Sequence, residues 1–109
     1  MDASSAVTRL TGLAHESRLA IFRLLVRTGP KGLCVSDIGA KFKIPPTTLS
    51  FHLKELTQAR LIKARQDGRF VYYSADFKAM NALLNYLTEH CCEGQPCDVK
   101  RQAVECPEE

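Results

Sequence analysis

"SDIGAKFKIPPTTLSFHLKELTQARLIKARQDGRFVYYS", Ser36 to Ser74, carries two hydrophobic periods in succession, and the switch between them decides the fold. In "PPTTLSFHLKELTQAR" (45–60) the apolar residues recur at helical spacing. At about 100° per residue, Leu49, Leu53 and Leu56 make one narrow stripe, with Ala59 near its edge. The stretches "RLIKAR" (60–65) and "RFVYYSA" (69–75) are β-rich, and they join through Gln66-Asp67-Gly68. Asp-Gly between such runs predicts a hairpin. Upstream, Ser36 is expected to N-cap a short helix over "DIGAKFK". Ile44-Pro45 then makes a tight turn, and Pro46 suits the first turn of the longer helix, where its missing N–H costs nothing. Two helices about a tight turn, followed by a hairpin, predict a helix-turn-helix with a wing.

The flanks fit this frame. Leu10 to Leu13 belong to a first short helix. "HESRLAIFRLLVRTGPKG" (15–32) is a second, with Leu19, Ile21, Phe22, Leu24, Leu25 and Val26 covering most of its circumference, so it is expected to be central. Thr28-Gly29-Pro30 stops it. Phe77 to about Cys91 makes a last helix, ended by Gly94 and Pro96. The expected fold class is mainly α with a β-hairpin wing: a winged helix-turn-helix over residues 1–92, then a cysteine-containing tail over 93–109.

A chain of 109 residues, 45% hydrophobic, makes one domain with a modest core. A net charge of +3 and a pI near 8.7 are compatible with nucleic acid without demanding it. No apolar run approaches the ~20 residues of a membrane span. The N-terminus lacks a basic segment followed by an apolar one, so a cytoplasmic location is expected. In a reducing compartment five cysteines, an odd number, argue against a closed disulfide framework. No CxxC occurs, and no Cys/His pair is held on rigid elements, so no enzyme is expected.

The face of the fourth helix opposite its leucines carries Thr47, Ser50, Phe51, Lys54 and Gln58. Hydroxyls and amides can bond base edges or phosphates, lysine reaches phosphate, and an apolar ring can touch a thymine methyl. A solvated face is the plain alternative, but Phe51 is costly there without a partner. Arg65 and Arg69 flank the hairpin tip, with Lys63 behind, which suits a grip on phosphates or a minor groove. The hairpin can equally cover the core through Val71 and Tyr73.

Three thiols stand together near the end, in "YLTEHCCEGQPCD" (86–98). Cys91 ends a stripe formed by Phe77, Met80, Leu84 and Leu87, with Leu83 beside it. Glu93 to Pro96 can turn Cys97 back toward Cys91 and Cys92. Three soft sulfurs suit an ion that takes three ligands, as trivalent arsenic and antimony do, better than zinc, which usually takes four. Reactive thiols without a role, and a disulfide-forming redox switch, are the alternatives.

On "HESRLAIFRLL", "SDIGAKFKIPPTTLSFHLKELTQARLIKARQDGRFVYYS" and the apolar last helix, the chain resembles the ArsR/SmtB family of winged helix-turn-helix repressors over about residues 7–92. The resemblance implies a homodimer that binds an imperfect palindrome in promoter DNA and lets go when a metal or metalloid ion binds. It puts Thr47, Thr48, Ser50, Phe51, His52 and Lys54 in the recognition helix, with Asp67, Gly68 and Arg69 at the wing tip. His52, about 60° from the leucine stripe, is either a helix–helix hydrogen-bond partner or a phosphate contact. The resemblance implies a dimer seam made mainly by the first and last helices, here Met80, Leu83, Leu84 and Leu87. The family's Cys-Val-Cys site is reduced to Cys34-Val35-Ser36, so Cys34 is expected to be a small buried residue. Its Asp/His/Glu zinc site on the last helix is missing, because no histidine lies between Asp76 and His90. Cys91, Cys92 and Cys97 remain as the metalloid site, with Cys106 an outside candidate. The expected function is a repressor released by trivalent arsenic or antimony. A redox-switched or Cd/Zn/Pb-sensing repressor of the same fold is the alternative, and a metal-buffering protein without DNA binding a distant one.

Overall fold

The computed structural model describes residues 1–91. Its elements are α1 (Ala3–Leu13), α2 (Glu16–Thr28), β1 (Leu33–Cys34), α3 (Val35–Phe42), α4 (Pro46–Gln58), β2 (Ile62–Asp67), β3 (Phe70–Ala75) and α5 (Phe77–Thr88). The strands form one antiparallel sheet in the order β1-β3-β2. This is the expected winged helix-turn-helix.

The helix starts obey capping chemistry. Asp2 accepts the Ser5 N–H at 2.9 Å, His15 the Ser17 N–H at 3.1 Å, and Asp76 the Ala79 N–H at 3.0 Å. α3 departs from expectation. It begins at Val35, so Ser36 lies inside it, and its N-cap Cys34 makes no side-chain capping bond. The cause is β1: Leu33 pairs with Tyr73 and Cys34 with Tyr72, which holds this backbone extended up to the helix start. Gly32 makes the approach possible. Its φ is +73°, and a Cβ there would sit 2.5 Å from the Tyr73 carbonyl oxygen.

The core lies between α2, α4 and the sheet. Ile21, Phe22, Leu25, Ile38, Leu49, Leu53, Leu56, Leu61 and Ile62 fill it. Each leucine of the α4 stripe contributes roughly 1.5–3 kcal/mol by leaving water. α2 is central as expected, but its apolar cover is narrower: Leu19 is 45% exposed at the edge of the stripe. α1 approaches the end of α4 closely, because a Cβ on Gly12 would come within 2.6 Å of the Ala59 Cβ.

α4 is bracketed by two non-glycine residues in the left-handed region. Lys43 (φ 55°) closes α3 at the tight turn, and Arg60 (φ 62°) closes α4 before β2. The wing turns through Gly68 and Arg69, with Asp67 opposite Phe70. Positive φ at Gly68 alone (64°) matches the hairpin turn that wants glycine first.

α5 is shorter than expected. It ends at Thr88; Glu89 is extended (ψ 142°) and His90 takes a φ of 60°. The chain therefore leaves the helix before Cys91, and Cys91 does not continue the stripe of Met80, Leu84 and Leu87. No helix of the described residues is long and apolar enough to cross a membrane.

Candidate nucleic-acid interface and effector region

The leucine stripe of α4 faces inward, so the opposite face faces out. Thr47, Thr48, Ser50, Lys54 and Gln58 are exposed, and the Phe51 ring is 55% exposed. A polar, hydroxyl-rich helix with one bare aromatic ring is thus presented beside the wing. Arg69 stands in the wing turn, and Lys63, Arg65 and Asp67 are exposed on β2. Arg65 is not loose at the tip. Its guanidinium lies 5.0 Å from the centre of the Tyr72 ring, its cross-strand neighbour, and donates to the Lys31 carbonyl at 3.3 Å. It braces the wing against the loop after α2, which leaves Arg69 as the cation of the tip. The hairpin also covers the core, as the alternative held: Tyr73 packs on it.

His52 lies on the buried flank of α4, 5% exposed. Its ring centre is 4.6 Å from that of His15. Burial holds its pKa below the ordinary histidine value, and the neighbouring His15 and Arg18 lower it further. His52 packs the start of α2 against α4, and among the described residues its Nδ1 is buried without a hydrogen-bond partner. The ring thus packs between the helices, without the expected interhelical hydrogen bond at Nδ1 among the described residues. Arg18 joins the same two helices through Glu55 at 3.6 Å.

The four expected seam residues divide. Met80 and Leu83 are buried within a single chain, Met80 as part of the core, and Leu84 packs against that core. Leu87 is 53% exposed. A helix buried on one side by its own core offers a partner only what lies beyond that side, so Leu87 is the seam candidate left on α5. α1 packs against α5 and adds exposed Val7 and Leu10.

Among the thiols, Cys91 is half-buried just after α5. Cys92, Cys97 and Cys106 lie outside the described residues. Cys34 is not the buried residue expected. It is half-exposed, its thiol donates to Asp37 Oδ2 at 3.2 Å, and its sulfur lies 3.3 Å from Ser36 Oγ. One thiol, one carboxylate and one hydroxyl are a harder set than three sulfurs. Among the described residues no three His, Cys, Asp or Glu side chains converge to hold a metal ion.

A helix-turn-helix domain profile matches residues 13–65. The Bacillus subtilis arsenical resistance operon repressor is 34% identical over 84 residues, covering 77% of this chain and 76% of that protein. The chain belongs to the ArsR/SmtB family. A transcriptional repressor SmtB homolog from Synechocystis is 39% identical over 76% of this ArsR/SmtB chain, which spans 61% of that relative's length. A homodimeric winged helix-turn-helix DNA-binding domain from Mycobacterium bovis, a possible ArsR-family regulator, superposes with a TM-score of 0.62 at 25% identity, covering 86% of this chain and 87% of that one. The ArsR/SmtB protein is thus a DNA-binding transcriptional regulator and not an enzyme.

Sequence reasoning missed three features of this ArsR/SmtB fold: β1, the brace of Arg65, and the His15–His52 pair. The first two depend on residues far apart in the chain. For the third the signal was present, since His52 borders the leucine stripe, but nothing local names His15 as its neighbour.

Proposed function

We propose that this protein represses transcription by binding an imperfect palindrome in promoter DNA as a dimer, and that trivalent arsenic releases it by closing Cys91, Cys92 and Cys97. The exposed Thr47–Lys54 face of α4 beside the wing carries the DNA half of this reading. Thr47, Thr48, Ser50, Phe51 and Lys54 enter a major groove, and Arg69 holds phosphate at the wing. A cytoplasmic location accords with this. The effector half is carried by donor chemistry: three soft sulfurs suit an ion with three open positions. The likeness to a repressor named for arsenical resistance supports it. Trivalent antimony shares the geometry and is a second effector of the same site.

In this reading the tail thiols follow directly on α5, the helix carrying Leu87 on the seam. Ion binding there is coupled to the dimer, provided the ion binds the DNA-incompetent arrangement better. Near-complete switching takes roughly 5.5 kcal/mol of difference. The likeness to an SmtB homolog favours one rival, divalent-metal release.

A labelled promoter fragment titrated with arsenite, antimonite, zinc and cadmium separates them. Cys91→Ser, Cys92→Ser and Cys97→Ser should each abolish arsenite release and keep effector-free DNA affinity within about twofold, since serine offers a hard, poorly acidic oxygen. Cys34→Ser should retain the response. If all three tail variants release DNA at the wild-type arsenite concentration, the three-thiol site is wrong. Release by zinc or cadmium alone would favour the rival.

A further inference from the structure

The first turn of α3, the start of α4 and the tip of the wing enclose an open cleft of about 640 Å³. Its walls are apolar: Val35, Ala40, Ile44, Leu49, Phe70 and Val71. The volume falls within the roughly 300–1,000 Å³ of small-molecule pockets, and an apolar wall with a few polar groups is their usual composition. Gly39 keeps α3 close to α4 at the cleft floor, where a Cβ would meet Leu49 Cδ2 at 3.3 Å.

The polar groups are few, and their charge is one-sided. Arg69 lines the cleft from the wing, and no carboxylate of the described residues lies within ion-pair distance of it. Cys34 and Ser36 line it from α3. Cys34, at the N-cap of α3, makes no side-chain capping bond there. Asp37, in the same turn, is not part of the lining, and its Oδ2 accepts a hydrogen bond from the Cys34 thiol at 3.2 Å.

We propose that this cleft binds a small amphipathic carboxylate: a compact aromatic or branched hydrocarbon body against Ile44, Leu49 and Val71, with its anionic end between Arg69 and the start of α3. A neutral apolar molecule would leave the arginine unanswered. A purely inorganic anion would leave the apolar wall wet. The site joins the wing to the helix-turn-helix. Because Arg69 is also the wing-tip cation assigned to phosphate, ligand and DNA compete for it, and this last clause rests on the proposed DNA surface.

The test uses the full-length protein without DNA. Indole-3-acetate and its neutral counterpart indole-3-ethanol are titrated, and backbone amide shifts are followed by NMR. The acid should give saturable shifts at Val35, Ala40, Ile44 and Val71, and bind about tenfold more tightly than the alcohol, as one charge-assisted bond allows. Arg69→Gln should erase that preference, and Ala40→Phe, by filling the cleft, should remove both ligands. Should Ala40→Phe fail to fold, Arg69→Gln on the exposed wing still decides. Absence of saturable shifts at millimolar acid, equal affinity for acid and alcohol, or the same shifts at the same affinity with inorganic phosphate would each overturn the site. In a DNA mobility assay the acid should weaken wild-type binding severalfold. Ligand binding without that loss overturns the competition, whereas no DNA binding in ligand-free protein faults the functional reading instead.

Discussion

A single buried ring ties solution pH to helix packing. The His52 pKa lies below the ordinary histidine value, and burial is the main cause. The unfolded chain takes up a proton near the ordinary value of 6.5, whereas the folded chain does so only at lower pH. Unfolding thus binds protons, and stability falls as pH drops from about 6.5 toward the lowered pKa. Above that window this ring adds no pH dependence. Melting temperatures between pH 7.5 and 5.5 should show the loss, and His52→Leu should flatten it; an unchanged slope would place the titrating group elsewhere. Gly12 makes a sharper local case. The Ala59 Cβ that an added methyl would strike cannot rotate away. Gly12→Ala should therefore destabilise by about 1–3 kcal/mol, less up to about 1 kcal/mol of helix propensity gained. Urea unfolding measures the net; a more stable variant would show that α1 shifts freely. Lys43 and Arg60 present the reverse situation. Left-handed backbone costs an L-residue roughly 1–2 kcal/mol, so glycine at either position should stabilise the fold by up to that amount, while removing a cation from each end of α4.

The elements show what a single chain's pattern can tell. The leucine stripe of α4 was legible because three residues at helical spacing admit one inward face, and burial of Leu49, Leu53 and Leu56 agrees. The hairpin was legible from Asp67-Gly68 between β-rich runs, and the paired strands agree. β1 was not, because two residues become a strand only through Tyr72 and Tyr73, some forty positions away. The end of α5 was hidden too: the breakers Gly94 and Pro96 stand beyond Thr88, and nothing local marks the turn at Glu89 and His90. A stripe on α5 also says which residues share a face, not whether they meet their own core or another chain. Met80 and Leu83 show the difference. For the DNA surface, Ser50→Ala and Phe51→Ala should each cost about 1–3 kcal/mol on the specific site and little on random DNA. Arg69→Ala should weaken both and lower the slope of log K against log salt by about 0.9. Uniform losses for Ser50 and Phe51 across sequences would remove base readout from α4.

For the whole molecule the seam comes first. Leu87 on α5 and Val7 and Leu10 on α1 are exposed apolar residues of two helices that pack together. Leu87→Glu and Leu10→Glu should raise the dimer dissociation constant at least about tenfold, near 1.4 kcal/mol, in sedimentation. If the dimer is unaffected, the seam lies elsewhere. The β1–β3 pairing then acquires a mechanical meaning. By fastening the start of α3 to the inner strand of the wing, it leaves each subunit without an internal joint between its two DNA-facing parts. In the proposed DNA-bound dimer, groove and phosphate contacts would then move together, as the two ends of one lever whose fulcrum is the dimer axis. Recognition helices set about 34–36 Å apart give that lever an arm of about 17 Å, so a rotation of about 10° carries each helix about 3 Å, close to one base-pair step. A lever of that length has no need of large motion at its fulcrum: in the proposed dimer, a turn of about 10° would be enough to put both reading heads about one base-pair step out of phase with the DNA.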